Sequence, residues 1–187
     1  MNTDLLSVLS EILNMPLVSL NLLRTTARVV ANFFSSIPSF NQAKFLIPLM
    51  WNFINIGDSS VIKEILRVLM YVTCGDDSAM EYTMANINIA RIVQYLDNPE
   101  YQKLSIQILG NISCGPSFIV DEVFNADCLL KIKTILKSES KTTQFACCLL
   151  SNLSLNHKKY IDRFIELNIF SDLTNIILTE LPVTLFS

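Results

Sequence analysis

An all-helical repeat solenoid is the fold class this sequence predicts, and three observations predict it. First, four stretches share one pattern: Val29-Val30-Ala31-Asn32-Phe33-Phe34-Ser35, Leu69-Met70-Tyr71-Val72-Thr73-Cys74-Gly75, Leu109-Gly110-Asn111-Ile112-Ser113-Cys114-Gly115 and Leu150-Ser151-Asn152-Leu153-Ser154. Their polar anchors, Asn32, Tyr71, Asn111 and Asn152, recur at intervals of 39, 40 and 41 residues. A period of about 40 with helical patterning belongs to repeat arrays in which each unit stacks on its neighbours. Second, the chain of 187 residues is 51% hydrophobic yet holds only 4 Gly and 6 Pro, which favours helices joined by short turns over a sheet with many corners. Third, the apolar residues inside each repeat fall at helical spacing.

The segment Thr142 to Leu155 shows that spacing most fully. Thr142, Phe145, Ala146, Leu149, Leu150 and Leu153 form the stripe expected to be buried, and Gln144, Cys148 and Asn152, at i, i+4 and i+8, form a second stripe on another face. The helix is expected to start near Ser140, a residue able to cap it, and to stop at Asn156-His157. A shorter helix follows from about Lys158 to Leu167. Another runs from Ile169 to about Leu178, with Phe170, Leu173, Ile176 and Ile177 as its apolar face. The same register fits Gly115 to Ser138, and Gly75 to Asn98 with Pro99 as punctuation. Applied backward, it gives long third helices near Pro16–Ser36, Ser59–Cys74, Pro99–Cys114 and Ser140–Leu155, with Asp4 to Leu13 as a second helix. Three helices of increasing length per unit make an armadillo repeat, where HEAT repeats use two. The expected fold is therefore an all-α, right-handed armadillo superhelix forming one domain, 1–187. Its parts are a partial first repeat (1–38), repeats of about 39–75, 76–115 and 116–155, and a partial last repeat (156–187). Both ends fall inside repeats, so the chain reads as cut from a longer array. Solenoid ends call for polar caps, whereas Leu181-Pro182-Val183-Thr184-Leu185-Phe186 is apolar and should fold back or meet a partner.

Composition narrows the function classes. A mean hydropathy of +0.42 suits buried inner helices. The most apolar run, Phe45 to Ile56, contains Asn52 and Asn55 and is far shorter than the roughly 20 residues a bilayer requires. Met1 to Ser10 carries Asp4 and no basic residue, so it does not resemble a secretory signal. The 5 cysteines form no Cys-x-x-Cys pair, and adjacent Cys147 and Cys148 point about 100° apart on a helix, which rules them out as a joint metal site. All five are expected to be buried reduced thiols, with Cys74 and Cys114 at equivalent positions three after the anchor. Asn111-Ile112-Ser113 and Asn152-Leu153-Ser154 match the glycosylation sequon but sit inside helices of a chain expected to be intracellular, so no sugar is assigned to them. No enzyme is expected, and no catalytic residue, cofactor or metal. There is one histidine, His157, read as a solvated cap, no phosphate-cradling glycine loop, and the Asp76-Asp77 pair reads as turn acids. Solenoids of this kind bind partners.

Beyond the generic repeat, the chain resembles the importin-α family of armadillo adaptors that carry nuclear localisation signals. Leu23-Arg24-Thr25-Thr26-Ala27-Arg28-Val29-Val30-Ala31-Asn32 resembles the family's fourth repeat, with the Pro-bearing insertion Ile37-Pro38-Ser39-Phe40 after it. Val68-Leu69-Met70-Tyr71 is similar to the fifth, where the family also has Tyr, and Leu104-Ser105-Ile106-Gln107-Ile108-Leu109-Gly110-Asn111 to the sixth. Phe145-Ala146-Cys147-Cys148-Leu149-Leu150-Ser151-Asn152 resembles the seventh. The resemblance implies a concave groove lined by third helices, in which a Trp four residues before each Asn stacks on a signal's lysine and the Asn clamps the peptide backbone. It implies peptide-binding roles for Asn32, Tyr71, Asn111 and Asn152, with Arg28, Arg67, Gln107 and Cys148 at the Trp positions and Glu64 at the family's acidic position. It also implies protein or peptide partners, nuclear-localisation-signal cargo among them, and residence in nucleus and cytoplasm. No segment resembles the basic stretch that recruits importin-β. Trp51 is assigned to packing in a second helix.

The groove's charge departs from the family. Arg24, Arg28, Lys63, Arg67 and Lys103 line it, so either a positive field weakens binding of lysine-rich signals, or these residues are solvated and pair with neighbouring acids. Nucleic acid could use the five cations, but few aromatics are available for stacking, so it is not an expected partner. Two functional readings remain open: an import adaptor, and an armadillo scaffold that has lost signal binding.

Overall fold

The computed structural model describes residues 3–36, 39–124, 127–138 and 141–180, with the side chains of residues 3–6, 156 and 180 left aside. Ser140, the Ile37-Pro38 part of the insertion and the apolar tail lie outside the described residues. The regular structure within them is helical, and the helices gather into two compact units, Met1–Ile92 and Val93–Ser187.

The first unit holds α1 (Thr3–Asn14), α2 (Leu20–Phe34), α3 (Phe40–Asn52), α4 (Ser59–Thr73) and α5 (Asp77–Asn86), and α6 (Ile89–Gln94) begins in it. Expectation and structure agree on α4 and differ at the start of α2. Ser19, not Pro16, opens that helix, because the Ser19 hydroxyl accepts the Leu22 backbone N–H at 3.3 Å. Asp58 caps α4 in the same way through Val61 N at 3.1 Å, and Asp76 caps α5 through Ala79 N at 2.7 Å. Helix α2 packs along α4, burying Leu23, Ala27, Val30 and Phe34 on one side and Ile65, Leu66, Leu69 and Val72 on the other.

Repeat 39–75 departs from the three-helix plan. A single helix, α3, runs through Pro48 and continues as a 3₁₀ turn over Phe53–Ile56, ended by Gly57 at φ 78°, a left-handed backbone that favours glycine. Proline has no N–H to give the carbonyl four residues back. That carbonyl belongs to Lys44, and the Tyr82 hydroxyl of α5 donates to it at 3.2 Å, while the Tyr82 ring stands edge-on to Phe40. A side chain from the next repeat thus replaces the missing helical bond. Trp51 lies half-buried in α3, a placement that fits packing.

The second unit contains α7 (Gln102–Ile112), α8 (Ser117–Phe124), α9 (Cys128–Leu136), α10 (Thr143–Asn156), α11 (Lys159–Glu166) and α12 (Ile169–Glu180). Here α8, α9 and α10 follow the expected short, medium and long order. Asp127 and Asn168, ahead of α9 and α12, take left-handed φ values of 56° and 54°, a conformation Asp and Asn tolerate better than other non-glycine residues. Neighbouring repeats are stitched at near-repeat intervals. Thr142 donates to Gln102 at 2.6 Å, Tyr160 to Asp121 at 2.8 Å, and Lys133 pairs with Asp172 at 3.0 Å.

Three expectations fail on burial. Cys74, Cys114 and Cys148 are exposed and Cys147 is intermediate, leaving Cys128 as the buried thiol. His157 is buried, not a solvated cap: its Nδ1 stands 3.5 Å from Ser117 Oγ and its ring edge-on to Tyr160. On α12, Leu173 and Ile176 of the expected apolar face are half-buried while Phe170 and Ile177 are exposed, so the described residues cover that face only in part.

Candidate functional site: the exposed faces of the third helices

In the first unit, α2 and α4 bury one apolar stripe against each other and present the remainder. Asn32 is exposed and Tyr71 half-buried on that presented side. Helical geometry puts Arg28 four residues before Asn32, and Glu64 and Arg67 seven and four before Tyr71, so all share the outward face. The contacts tie these residues together. Arg67 donates to Glu64 Oε2 at 2.7 Å and to Asn32 Oδ1 at 3.3 Å, and its guanidinium is held more firmly in the charged form by Tyr71 first and by Glu64 as well. Arg28 Nε lies 3.6 Å from the other oxygen of the same Glu64. One level toward the N-terminus, Arg24 grips Asp58 with Nε and Nη2, the shortest contact being 2.6 Å. That fork, together with the Val61 N–H, holds the Asp58 carboxyl below its ordinary range.

Both charge readings left open by the sequence find support on this face. Arg24, Arg28 and Arg67 lie within ion-pair distance of Asp58 and Glu64, yet three cations stand against two carboxylates and Arg28 is 69% exposed. Asp58 was absent from the sequence reading; its pattern as an N-cap ahead of Ser59 was the available signal.

In the second unit, α7 and α10 carry Asn111 and Asn152, both half-buried, with Gln107 half-buried and Cys148 exposed four residues before them. Asn152 Nδ2 donates to the Gly110 carbonyl at 3.2 Å, placing the two anchors' helices in register across one repeat. Gly110 has no neighbour within 4 Å of where a Cβ would stand. Lys103, one turn before Gln107, places its ammonium 5.2 Å from the centre of the Phe145 ring, a cation–π contact the sequence reading did not anticipate. Phe145 is accordingly half-buried, while Ala146, Leu149, Leu150 and Leu153 of the expected stripe are fully buried.

No protein-family model and no curated protein matches the chain. Solved structures do. A designed armadillo repeat protein in complex with the peptide (KR)4 aligns with a TM-score of 0.80 at 17% identity, covering 91% of this chain and 73% of that one. The fold is that of armadillo repeats. Computationally designed armadillo repeat proteins for modular peptide recognition give 0.79 at 18% identity, again over 91% and 73%. An engineered protein gives 0.76 at 22% identity over 92% of this chain and 72% of its own. Identities this low speak for the armadillo fold alone. Among the described residues, no group of three or more His, Cys, Asp and Glu side chains could hold a metal ion, and no helix is long and apolar enough to cross a membrane.

Proposed function

We propose that the chain is an armadillo binding scaffold that receives extended peptide segments of protein partners on the outward faces of its third helices. The observation that carries this reading is the pair Asn111 and Asn152. Both are partly exposed amides on the outward side of helices whose buried side is mainly apolar, and Asn152 donates to the carbonyl of Gly110, the residue before Asn111. An amide can donate to and accept from an extended backbone, which has no partner of its own. The (KR)4-bound and modular-recognition armadillo designs support the reading by fold.

Within it, the import-adaptor reading, with nuclear-localisation-signal cargo and a place in both nucleus and cytoplasm, rests on the resemblance in the anchor residues. The geometry favours the other reading, a scaffold without strong basic-signal binding. Arg28, Arg67, Gln107 and Cys148 offer no aromatic face to a lysine, and the one acid at the family's groove position, Glu64, is already committed to Arg67 at 2.7 Å. Fluorescence polarisation of the full chain with labelled neutral and lysine-rich extended peptides tests both. Binding that weakens when Asn111→Ala and Asn152→Ala are combined, with helicity retained, supports the scaffold. Absence of binding to any extended peptide overturns it, and tight binding of the lysine-rich peptide restores the adaptor.

A further inference from the structure

The hydrogen-bonding polarity of the α2–α4 face limits which peptide it can take. Asn32 Oδ1 accepts from Arg67 at 3.3 Å, which engages one of its two lone pairs, and the same carboxamide carries two N–H donors. Glu64 is 13% exposed at its side chain and sits between Arg67 at 2.7 Å and Arg28 at 3.6 Å, so its acceptor capacity is turned inward. Arg28 is the opposite case. Its side chain is 69% exposed, and its ion contact with Glu64 is longer than a hydrogen bond. Asp58 is likewise spent on Arg24 and the α4 cap. The face therefore presents donors: the Arg28 guanidinium and, one turn on, the Asn32 amide. Three arginines stand there against two carboxylates.

We propose that the α2–α4 face of the first unit is a carboxylate-reading subsite, selecting an extended peptide with an acidic side chain opposite Arg28 and Asn32. This rests on the peptide-binding reading and narrows it. A carboxylate offers only acceptors and can meet a guanidinium with two parallel bonds. A lysine ammonium offers only donors, competes with Arg67 and Arg28 for Glu64, and lies within the reach of two guanidinium charges that screening at physiological salt, with a Debye length of about 8 Å, does not remove.

The test uses the full chain and three labelled peptides of about twelve residues, long enough at roughly 3.3 Å per residue to follow several repeats. Serine alternates with glutamate, glutamine or lysine. The glutamate peptide should bind tightest and the lysine peptide about tenfold or more weaker, the gap narrowing with salt. Arg28→Gln should weaken the glutamate peptide several-fold and weaken the glutamine peptide less, closing most of the gap between them. Glu64→Gln should strengthen the glutamate peptide, because it releases both guanidinium groups; a basic-peptide subsite requires the reverse for the lysine peptide. Equal or tighter binding of the lysine peptide by the unaltered chain, or weakening of the glutamate peptide by Glu64→Gln with the fold intact, overturns the proposal while leaving peptide binding in place. If none of the three binds, the peptide-binding reading falls and takes this one with it. Should Glu64→Gln fail to fold, the exposed Arg28→Gln still decides.

Discussion

Replacing Gly110 with alanine should stabilise this protein. Gly110 lies in the last turn of α7, two residues before its end, with an ordinary right-handed backbone; the described positive-φ residues are Gly57, Asp127 and Asn168. A Cβ built there meets no atom within 4 Å, so alanine brings no clash. The two side chains that donate to the Gly110 carbonyl, Ser113 Oγ at 2.6 Å and Asn152 Nδ2 at 3.2 Å, bond a backbone atom that the substitution keeps. What changes is conformational entropy in the unfolded chain. A glycine inside a helix costs about 0.8–1.0 kcal/mol relative to alanine, and less near a frayed end, so the expected gain is about 0.5–1 kcal/mol. For a chain of this size that is a rise in Tm of roughly 1–4 °C. Thermal and urea denaturation followed by circular dichroism would measure it. A lowered Tm would refute the reasoning, since it would mean the turn needs a backbone only glycine supplies. A raised Tm with peptide affinity reduced about tenfold would carry different information: the open space beside Gly110 is then where a ligand's backbone passes.

Four further outcomes follow from the geometry. Tyr82→Phe should cost about 0.5–1 kcal/mol by orphaning the Lys44 carbonyl, and Pro48→Ala should recover part of it by restoring an N–H; additive effects in that double-mutant cycle would disprove the substitution of one bond by the other. Thiol labelling at pH 8 followed by mass spectrometry should modify Cys74, Cys114 and Cys148 quickly, Cys147 more slowly, and Cys128, whose pKa burial pushes up to about 12, only in denaturant; early modification of Cys128 would contradict its packing. Because Arg24 and the α4 cap depress the Asp58 pKa below 3.8, its contribution is complete above that value and disappears as pH falls through the lower folded pKa, so the Tm gap between the unaltered chain and Asp58→Asn should close under acid; a gap independent of pH would exclude the ion pair as its cause. Gln107→Trp with Cys148→Trp should raise affinity for a lysine-rich peptide by about 5- to 30-fold, two exposed cation–π contacts of about 0.5–1 kcal/mol each; unchanged affinity in a folded variant would remove the missing aromatics as the reason for weak basic-signal binding.

The part of the fold that could be read from the sequence is the part fixed by short-range periodicity. The stripe Ala146, Leu149, Leu150 and Leu153 is buried because spacing alone puts those residues on one face. The errors have a different origin. Small size and apolarity alone place Cys74 and Cys114 inside, yet each follows its anchor by three residues, and i+3 shares a face with i. Once the anchors face outward, so must the cysteines, and the register already contained that answer. Cys148, four before Asn152, follows the same rule. Asp58 and Tyr82 could not be found this way. Their partners, Arg24 and Lys44, lie 34 and 38 residues away and meet them only when neighbouring repeats stack.

That distinction bears on how an anchor asparagine acts. A repeat pattern identifies Asn32 as a residue suited to hold a peptide backbone through both ends of its amide. Arg67, 35 residues later in the chain and on the next third helix, engages one end of that amide. An aromatic side chain there would leave the Asn32 oxygen available and add a face for a cation. Arginine offers no stacking surface for a cation, and it occupies one of the two lone pairs of the amide oxygen. Glu64 accepts from Arg67 at 2.7 Å, so an incoming lysine would have to compete for it. A residue at the stacking position thus changes the hydrogen bonding of its neighbour without altering the neighbour itself. On the proposed reading, the anchors mark where a peptide would lie, and the residues one turn before them, with the acids they recruit, would select its charge.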